Sequence, residues 1–189
     1  MSTHNMDIKI ENGYILLAEP FMMDDQFKRA VVLVCDRHSD GTVGFIMNKP
    51  MQPNVCEILE DFPNCECKLH YGGPVSHDTI HFLHNRGDII DNSLQVDKDL
   101  YWGGDYDQLK ECFNNKLMTA KDIRFFVGYA GWSAGQLEEE LSYHSWVVSK
   151  MNIQRLFALD QENLWAEAMS DKGGTYQVIS HISEFSNLN

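Results

Sequence analysis

The chain has 189 residues, 43% of them hydrophobic, including ten Phe, seven Tyr and four Trp. That length supports one domain with a sizeable core. Acidic residues outnumber basic ones 28 to 15, for a formal charge of −13. Such a field repels phosphate backbones and anionic lipids, and no run of Lys or Arg offsets it, so direct nucleic-acid binding is not expected.

The first twelve residues read as a short polar N-terminal extension, without the basic-then-apolar layout of a signal peptide. Tyr14 to Ala18 is a compact apolar strand, ended by Glu19-Pro20 because the residue before proline is pushed to extended geometry. Asp24 to Phe27 suggests a helical turn. Ala30 to Cys35 and Thr42 to Met47 read as two buried strands joined at Arg37 to Gly41, a hairpin. Asn48-Lys49-Pro50 breaks the second strand. Val55 to Asp61 reads as a short helix with Ile58 and Leu59 inward, followed by a polar loop carrying Cys65 and Cys67.

Tyr71-Gly72-Gly73-Pro74 is a sharp turn, since two glycines permit positive φ and proline then fixes it. Thr79 to His84 alternates as a strand does, and Leu100 to Trp102 is another short one. Asp105 is placed to cap a helix running to about Leu117, with Leu109, Cys112, Phe113 and Leu117 as its buried face. Ile123 to Ala130 reads as a strand and Gln136 to Tyr143 as a helix. Trp146 to Val148, Leu156 to Leu159 and Tyr176 to Ile179 are read as strands, and Glu162 to Ser170 as the last helix. No segment approaches the roughly 18 uninterrupted apolar residues of a membrane helix, so a cytoplasmic protein without membrane association is expected. Paired strands together with strands between helices point to an α+β fold with a mixed sheet.

Five cysteines, an odd number, do not suggest a disulfide framework. Cys35 and Cys112 read as small core residues. Cys65 and Cys67 form C-x-C without two further ligands, and read as exposed thiols rather than a metal site. His77, His81 and His84 would share a face on a helix. On a strand His84 faces away from the other two, so His84 reads as a hydrogen-bonded, partly buried side chain. No metal and no cofactor are expected.

Gly131-Trp132-Ser133-Ala134-Gly135 fits G-x-S-x-G between a strand and a helix, the setting of a hydrolase nucleophile elbow. Ser133, Asp160 and His181 even occur in a usable chain order. The simpler reading makes Ser133 a helix N-cap with Gln136 in the reciprocal position, which asks only for local hydrogen bonds. Glu138, Glu139 and Glu140 fill the early turns and disfavour an anion there.

Four ordered blocks point to one family. Gly13-Tyr14-Ile15-Leu16-Leu17-Ala18 with Pro20, Asp24, Phe27 and Val31-Val32-Leu33-Val34 is the first. Gly44-Phe45-Ile46-Met47-Asn48-Lys49-Pro50 is the second, and Tyr71-Gly72-Gly73-Pro74-Val75 with Leu83-His84 the third. Gly128-Tyr129-Ala130-Gly131-Trp132, Gly135-Gln136-Leu137-Glu138, Glu140 and Trp146 form the fourth. Together, over residues 13 to 148, they resemble the YqgE/AlgH family. The resemblance implies a single-domain bacterial cytoplasmic protein over residues 13–189, α+β, with a mixed, barrel-like sheet and flanking helices. Members are often labelled transcriptional regulators. The family signature commonly has Gly and Pro where this chain has Ser133 and Ala134, which weakens the nucleophile reading. The expectation is a non-enzymatic binding or regulatory module for a small molecule or a protein partner, the alternative being a small serine hydrolase using Ser133. Asn48, Gly72, Gly73, Pro74, His84, Trp132, Gly135, Gln136 and Trp146 are the candidate cleft residues.

Overall fold

The computed structural model describes residues 9–158 and 163–182, the side chains of 181 and 182 excepted. The chain opens with β1 (Ile15–Ala18), β2 (Val31–His38) and β3 (Gly41–Ile46). Next come β4 (Pro50–Asn54), a one-turn helix α1 (Val55–Ile58) and β5 (Lys68–Tyr71). Strands β6 (Val75–His84), β7 (Leu94–Asp97) and β8 (Leu100–Trp102) precede α2 (Tyr106–Asn114). The remainder is β9 (Ile123–Ser133), α3 (Gln136–Ser142), β10 (Trp146–Ser149), α4 (Ile153–Leu156), α5 (Leu164–Asp171) and α6 (Gly174–Ile182).

The sheet runs β10-β1-β2-β3-β9-β6-β8-β7, with the β4–β5 pair attached to β9. It is mixed, because β5 lies parallel to β9 while the other pairs are antiparallel. β9 organises it. Its first half, at Phe125 to Val127, runs beside β5, and its second half, from Ala130 to Ser133, beside β3. Gly128 stands where the neighbour changes, with φ +67°. A Cβ there would lie 2.6 Å from the Gly73 carbonyl oxygen, so only glycine fits the crossing.

The two ends of the sheet share one core. Val96 and Leu100 of β7 and β8 are buried in the same cluster as Ile15, Leu17 and Val147 of β1 and β10. The sheet is curled in the way the expected barrel-like form implies, but its hydrogen-bonded ladder ends at β10 and β7, so it is not a closed barrel. Trp165 of α5 caps the first cluster and donates its indole N–H to the Ala18 carbonyl at 2.9 Å. A second cluster joins Leu16, Val32, Ile46, Trp132, Leu137 and Trp146 on the opposite face, and Ile10 of the N-terminal stretch is buried with them. A third lies under α1 and α2. β1, β2, β3 and β10 each feed the first two clusters because their side chains alternate between the faces.

Several elements differ from the sequence expectations. β4, β5 and β7 were not anticipated: β4 carries Pro50 and Pro53, and β5 and β7 have only four residues each. Leu156 ends a helix rather than opening a strand, and residues 176–179 lie inside α6; Leu159 is outside the described residues. Short apolar runs fit a buried helix as well as a strand. Ile58 is 52% exposed rather than inward, and Leu117, beyond the end of α2, is 53% exposed. The Asp105 cap is present, its carboxylate accepting the Gln108 amide at 2.9 Å.

Candidate functional site

The turn after β9 builds a hydrogen-bonded corner. Gly135 adopts the left-handed conformation at φ 78° and is the N-cap of α3. Gln136 reaches back, and its Oε1 accepts the Ser133 amide at 3.0 Å and the Ser133 hydroxyl at 3.2 Å. This corrects the capping expectation: Gln136 is in the reciprocal position, but Ser133 is the last residue of β9 and its hydroxyl donates to a side chain. One turn on, Gln136 Nε2 donates to Glu140 Oε1 at 3.0 Å. The other carboxylate oxygen, Oε2, accepts the indole N–H of Trp132 at 2.9 Å and of Trp146 at 2.7 Å. The two indoles meet edge to face, 5.9 Å apart, and Phe27 meets Trp146 in the same way at 5.6 Å. Trp132, Gly135, Gln136 and Trp146 therefore come together, with Glu140 as the acceptor that joins them. Glu140 stood in the fourth block and in the acidic early turns but was not among the candidate cleft residues; its i+4 spacing from Gln136 was the available signal.

The other candidates lie elsewhere. Asn48 clamps the start of β2, its Oδ1 accepting the Val31 amide and its Nδ2 donating to the Arg29 carbonyl, both at 2.8 Å. Gly72 links β3 to β9: its amide donates to the Val127 carbonyl, and its own carbonyl accepts from Ile46, both at 2.9 Å. A Cβ on Gly72 or Gly73 would stand 2.2 Å from β9 backbone, so these glycines admit a neighbouring strand. Pro74 follows them into β6. His84 is fully buried, its Nδ1 accepting the Arg86 amide and its Nε2 facing the Gly103 carbonyl at 2.9 Å. That pattern selects the neutral Nε2–H tautomer, and burial lowers its pKa. His81, on the opposite face, packs against Phe45, Trp102 and Tyr129.

Two clefts flank the paired ends of β3 and β9. The larger, about 630 Å³, is lined by Lys9, Arg37, Thr42, Ser133, Gly135 and Glu138 among others. Arg37 spans it, ion-paired to Glu138 and 3.5 Å from the Thr42 hydroxyl. The Glu138 carboxyl is held below its usual range by its own backbone amide and by Arg37. The smaller, about 370 Å³, lies against Asp36, Val43, Val75, Tyr129, Gly131 and Trp132. Arg37 and Thr42 had no signal in the sequence, because only the hairpin register carries them to the end of β9, and Lys9 reaches the cleft from the N-terminal stretch.

Among the described residues, Ser133 does not have the surroundings of a nucleophile. Its hydroxyl is engaged by Gln136, and among the described residues no imidazole is hydrogen-bonded to it. His38 lines the same cleft, but its Nε2 is 2.7 Å from Asp36 Oδ1. Asp160 and the His181 side chain lie outside the described residues. The Tyr71–Pro74 turn offers no free Gly72 amide for an oxyanion hole, because that amide donates to the Val127 carbonyl.

Comparison with known proteins matches residues 15–177 to the AlgH-like family. A UPF0301 protein of Chlorobium phaeobacteroides is 42% identical over 181 residues, which cover 96% of this chain and 97% of that protein. One from Cytophaga hutchinsonii is 36% identical over 173 residues, covering 91% and 95%. The solution structure of the AlgH protein from Pseudomonas aeruginosa has a TM-score of 0.72 at 26% identity, covering 95% of each chain. A crystal structure of a protein from Corynebacterium diphtheriae shares the fold at a TM-score of 0.74 and 21% identity, covering 92% and 93%. From the first strand to the last helix, this chain belongs to the AlgH-like family.

Proposed function

We propose that the protein is a non-enzymatic, cytoplasmic binding module that acts as a regulator by holding a small polar molecule or a segment of a protein partner in the larger cleft. One observation carries this reading: Lys9, Arg37 and Glu138 converge with the exposed Ser133–Gly135 turn around a concave space of about 630 Å³. That volume suits a small ligand, and convergent polar groups are what orient one. The Arg37–Glu138 pair is partly exposed and contributes at most about 1 kcal/mol to stability, so it is free to exchange its partner for a ligand. In this reading Trp132, Gln136, Glu140 and Trp146 brace the turn from behind the cleft, Gly135 turns the chain, and Asn48, Gly72, Gly73, Pro74 and His84 hold the framework. The charge of −13 favours regulation through a small molecule or protein over contact with DNA. No helix among the described residues is long and apolar enough to cross a membrane.

The test is a thermal-shift screen of small polar metabolites against the native chain and Ala134→Trp, an exposed position on the cleft rim. A compound that raises Tm of the native protein and leaves the variant unmoved supports the reading. Equal shifts in both, or none with any compound or partner extract, contradict it.

A further inference from the structure

A second feature lies away from this cleft, at the corner between α1 and β5. Three of the five cysteines meet there. Cys56 sits on α1, its thiol 3.8 Å from the Cys65 carbonyl and 3.8 Å from Asn64 Oδ1. The Val55 amide donates to the Cys67 carbonyl at 2.8 Å, tying α1 to the C-x-C segment. Cys67 is 4% exposed, whereas Cys65 and Cys56 are half-buried. The sequence reading of Cys65 and Cys67 as exposed thiols is thus corrected. All three are free thiols, and Cys65 and Cys67 stand two positions apart beside Cys56.

We propose that Cys65 and Cys67 form a reversible dithiol–disulfide site, with Cys65 the attacking and Cys67 the resolving thiol. The co-reactant class is a low-molecular-weight disulfide. The Cys65 thiolate attacks one sulfur of that disulfide. A new S–S bond forms on Cys65, the old S–S bond breaks, and one thiolate leaves. Cys67 then gives its proton to solvent and attacks the Cys65 sulfur. The internal S–S bond forms and the second small thiol departs. Two electrons pass from the dithiol to the small disulfide, which leaves as two thiols.

The geometry favours this division of labour. The accessible member of the pair is Cys65. The Cys67 thiol is its hydrogen-bond donor, which stabilises the Cys65 thiolate and brings its pKa down to about 7. The same contact raises Cys67, followed by burial and by the charge on Cys65, so Cys67 keeps its proton while Cys65 is ionised. Capping Cys65 removes that anion, and with it both the hydrogen bond and the charge that held the Cys67 proton. The resolving thiol is therefore released by the first step. Positions two apart span at most about 6.8 Å, within the roughly 4.4–6.8 Å that a disulfide accepts. Among the described residues no group of three His, Cys, Asp or Glu side chains is arranged to hold a metal ion, which favours dithiol chemistry over a metal at this corner.

The native protein is treated with iodoacetamide near pH 6 and near pH 8, and the alkylated cysteines are located by peptide mass mapping. Cys65 is expected to react first. Its rate should rise about tenfold between the two conditions, against roughly eightyfold for an ordinary thiol of pKa about 8.5. Oxidised glutathione should give a Cys65–Cys67 bridge, two hydrogens lighter and reversed by dithiothreitol. Cys67→Ser keeps a hydrogen-bond donor and should stop at the glutathione adduct on Cys65, and Cys65→Ser should give neither product. First reaction at Cys56, or no adduct in Cys67→Ser, overturns the proposal. An eightyfold rise at Cys65 in the native chain overturns it without any variant.

Discussion

Trp132 and Trp146 lie 5.9 Å apart, edge to face, and give their indole N–H groups to the same oxygen, Glu140 Oε2. One carboxylate therefore ties the end of β9 to the start of β10 across α3. Glu140→Ala leaves two buried indole donors without an acceptor, at about 1–3 kcal/mol each. We expect a loss of about 2–4 kcal/mol, read as a lower urea midpoint. Glu140→Gln keeps one oxygen for the indoles but turns its amide donors toward Gln136, and should cost about 1 kcal/mol.

Gly72 and Gly73 make a sharper prediction. Alanine at either position puts a methyl 2.2 Å from β9 backbone, at the Gly128 carbonyl oxygen or at Tyr129. Backbone cannot yield as a side chain does, so each substitution should cost about 3 kcal/mol or more. Gly103→Ala is the control: φ is +68° but a Cβ there meets nothing within 4 Å, so only the conformational cost of about 1–2 kcal/mol remains. Equal losses at all three positions would contradict the close-approach argument.

These residues also mark where the sequence was legible. Short apolar, β-branched runs read β1, β2, β3 and the body of β9 correctly, because strands buried on both faces leave such runs. Trp132, Gln136 and Trp146 stood out as one block, and the structure brings them together. Their shared acceptor was hidden, because an acidic residue on a helix reads as solvated until two indoles are seen to face it. β4 was obscured by Pro50 and Pro53, which a sheet tolerates only at its edges. The clefts were invisible, because Arg37 meets Glu138 across 101 positions of chain. Asn48, Gly72 and His84 were grouped with the corner as one expected cleft, yet their contacts join other strands.

His70 gives a pH prediction. It is 7% exposed, its Nδ1 has no hydrogen-bond partner, and burial followed by the Arg124 guanidinium lowers its pKa to about 3. The unfolded chain takes up this proton near pH 6.5 and the folded chain does so only near 3. Between those values the unfolded state binds more protons, so acid destabilises the fold. The loss from this group should approach about 1.4 kcal/mol per pH unit below pH 6. His70→Phe should flatten stability against pH in that window, measured by urea denaturation at successive pH values.

Gly135 should be replaceable only at a cost. Its φ of 78° is left-handed, but a Cβ would meet no atom within 4 Å. Gly135→Ala should therefore lose about 1–2 kcal/mol, and Gly135→Asn less, because Asn tolerates this conformation. A large loss with Asn would mean that the turn is held by contacts the backbone does not explain.

The most direct measurement for the proposed binding module is reaction of the native chain and Ser133→Ala with a fluorophosphonate probe, read by intact mass. The account predicts no adduct on either protein, because the Ser133 hydroxyl donates to Gln136 and no base is hydrogen-bonded to it among the described residues. An adduct on the native chain that disappears in Ser133→Ala would contradict it.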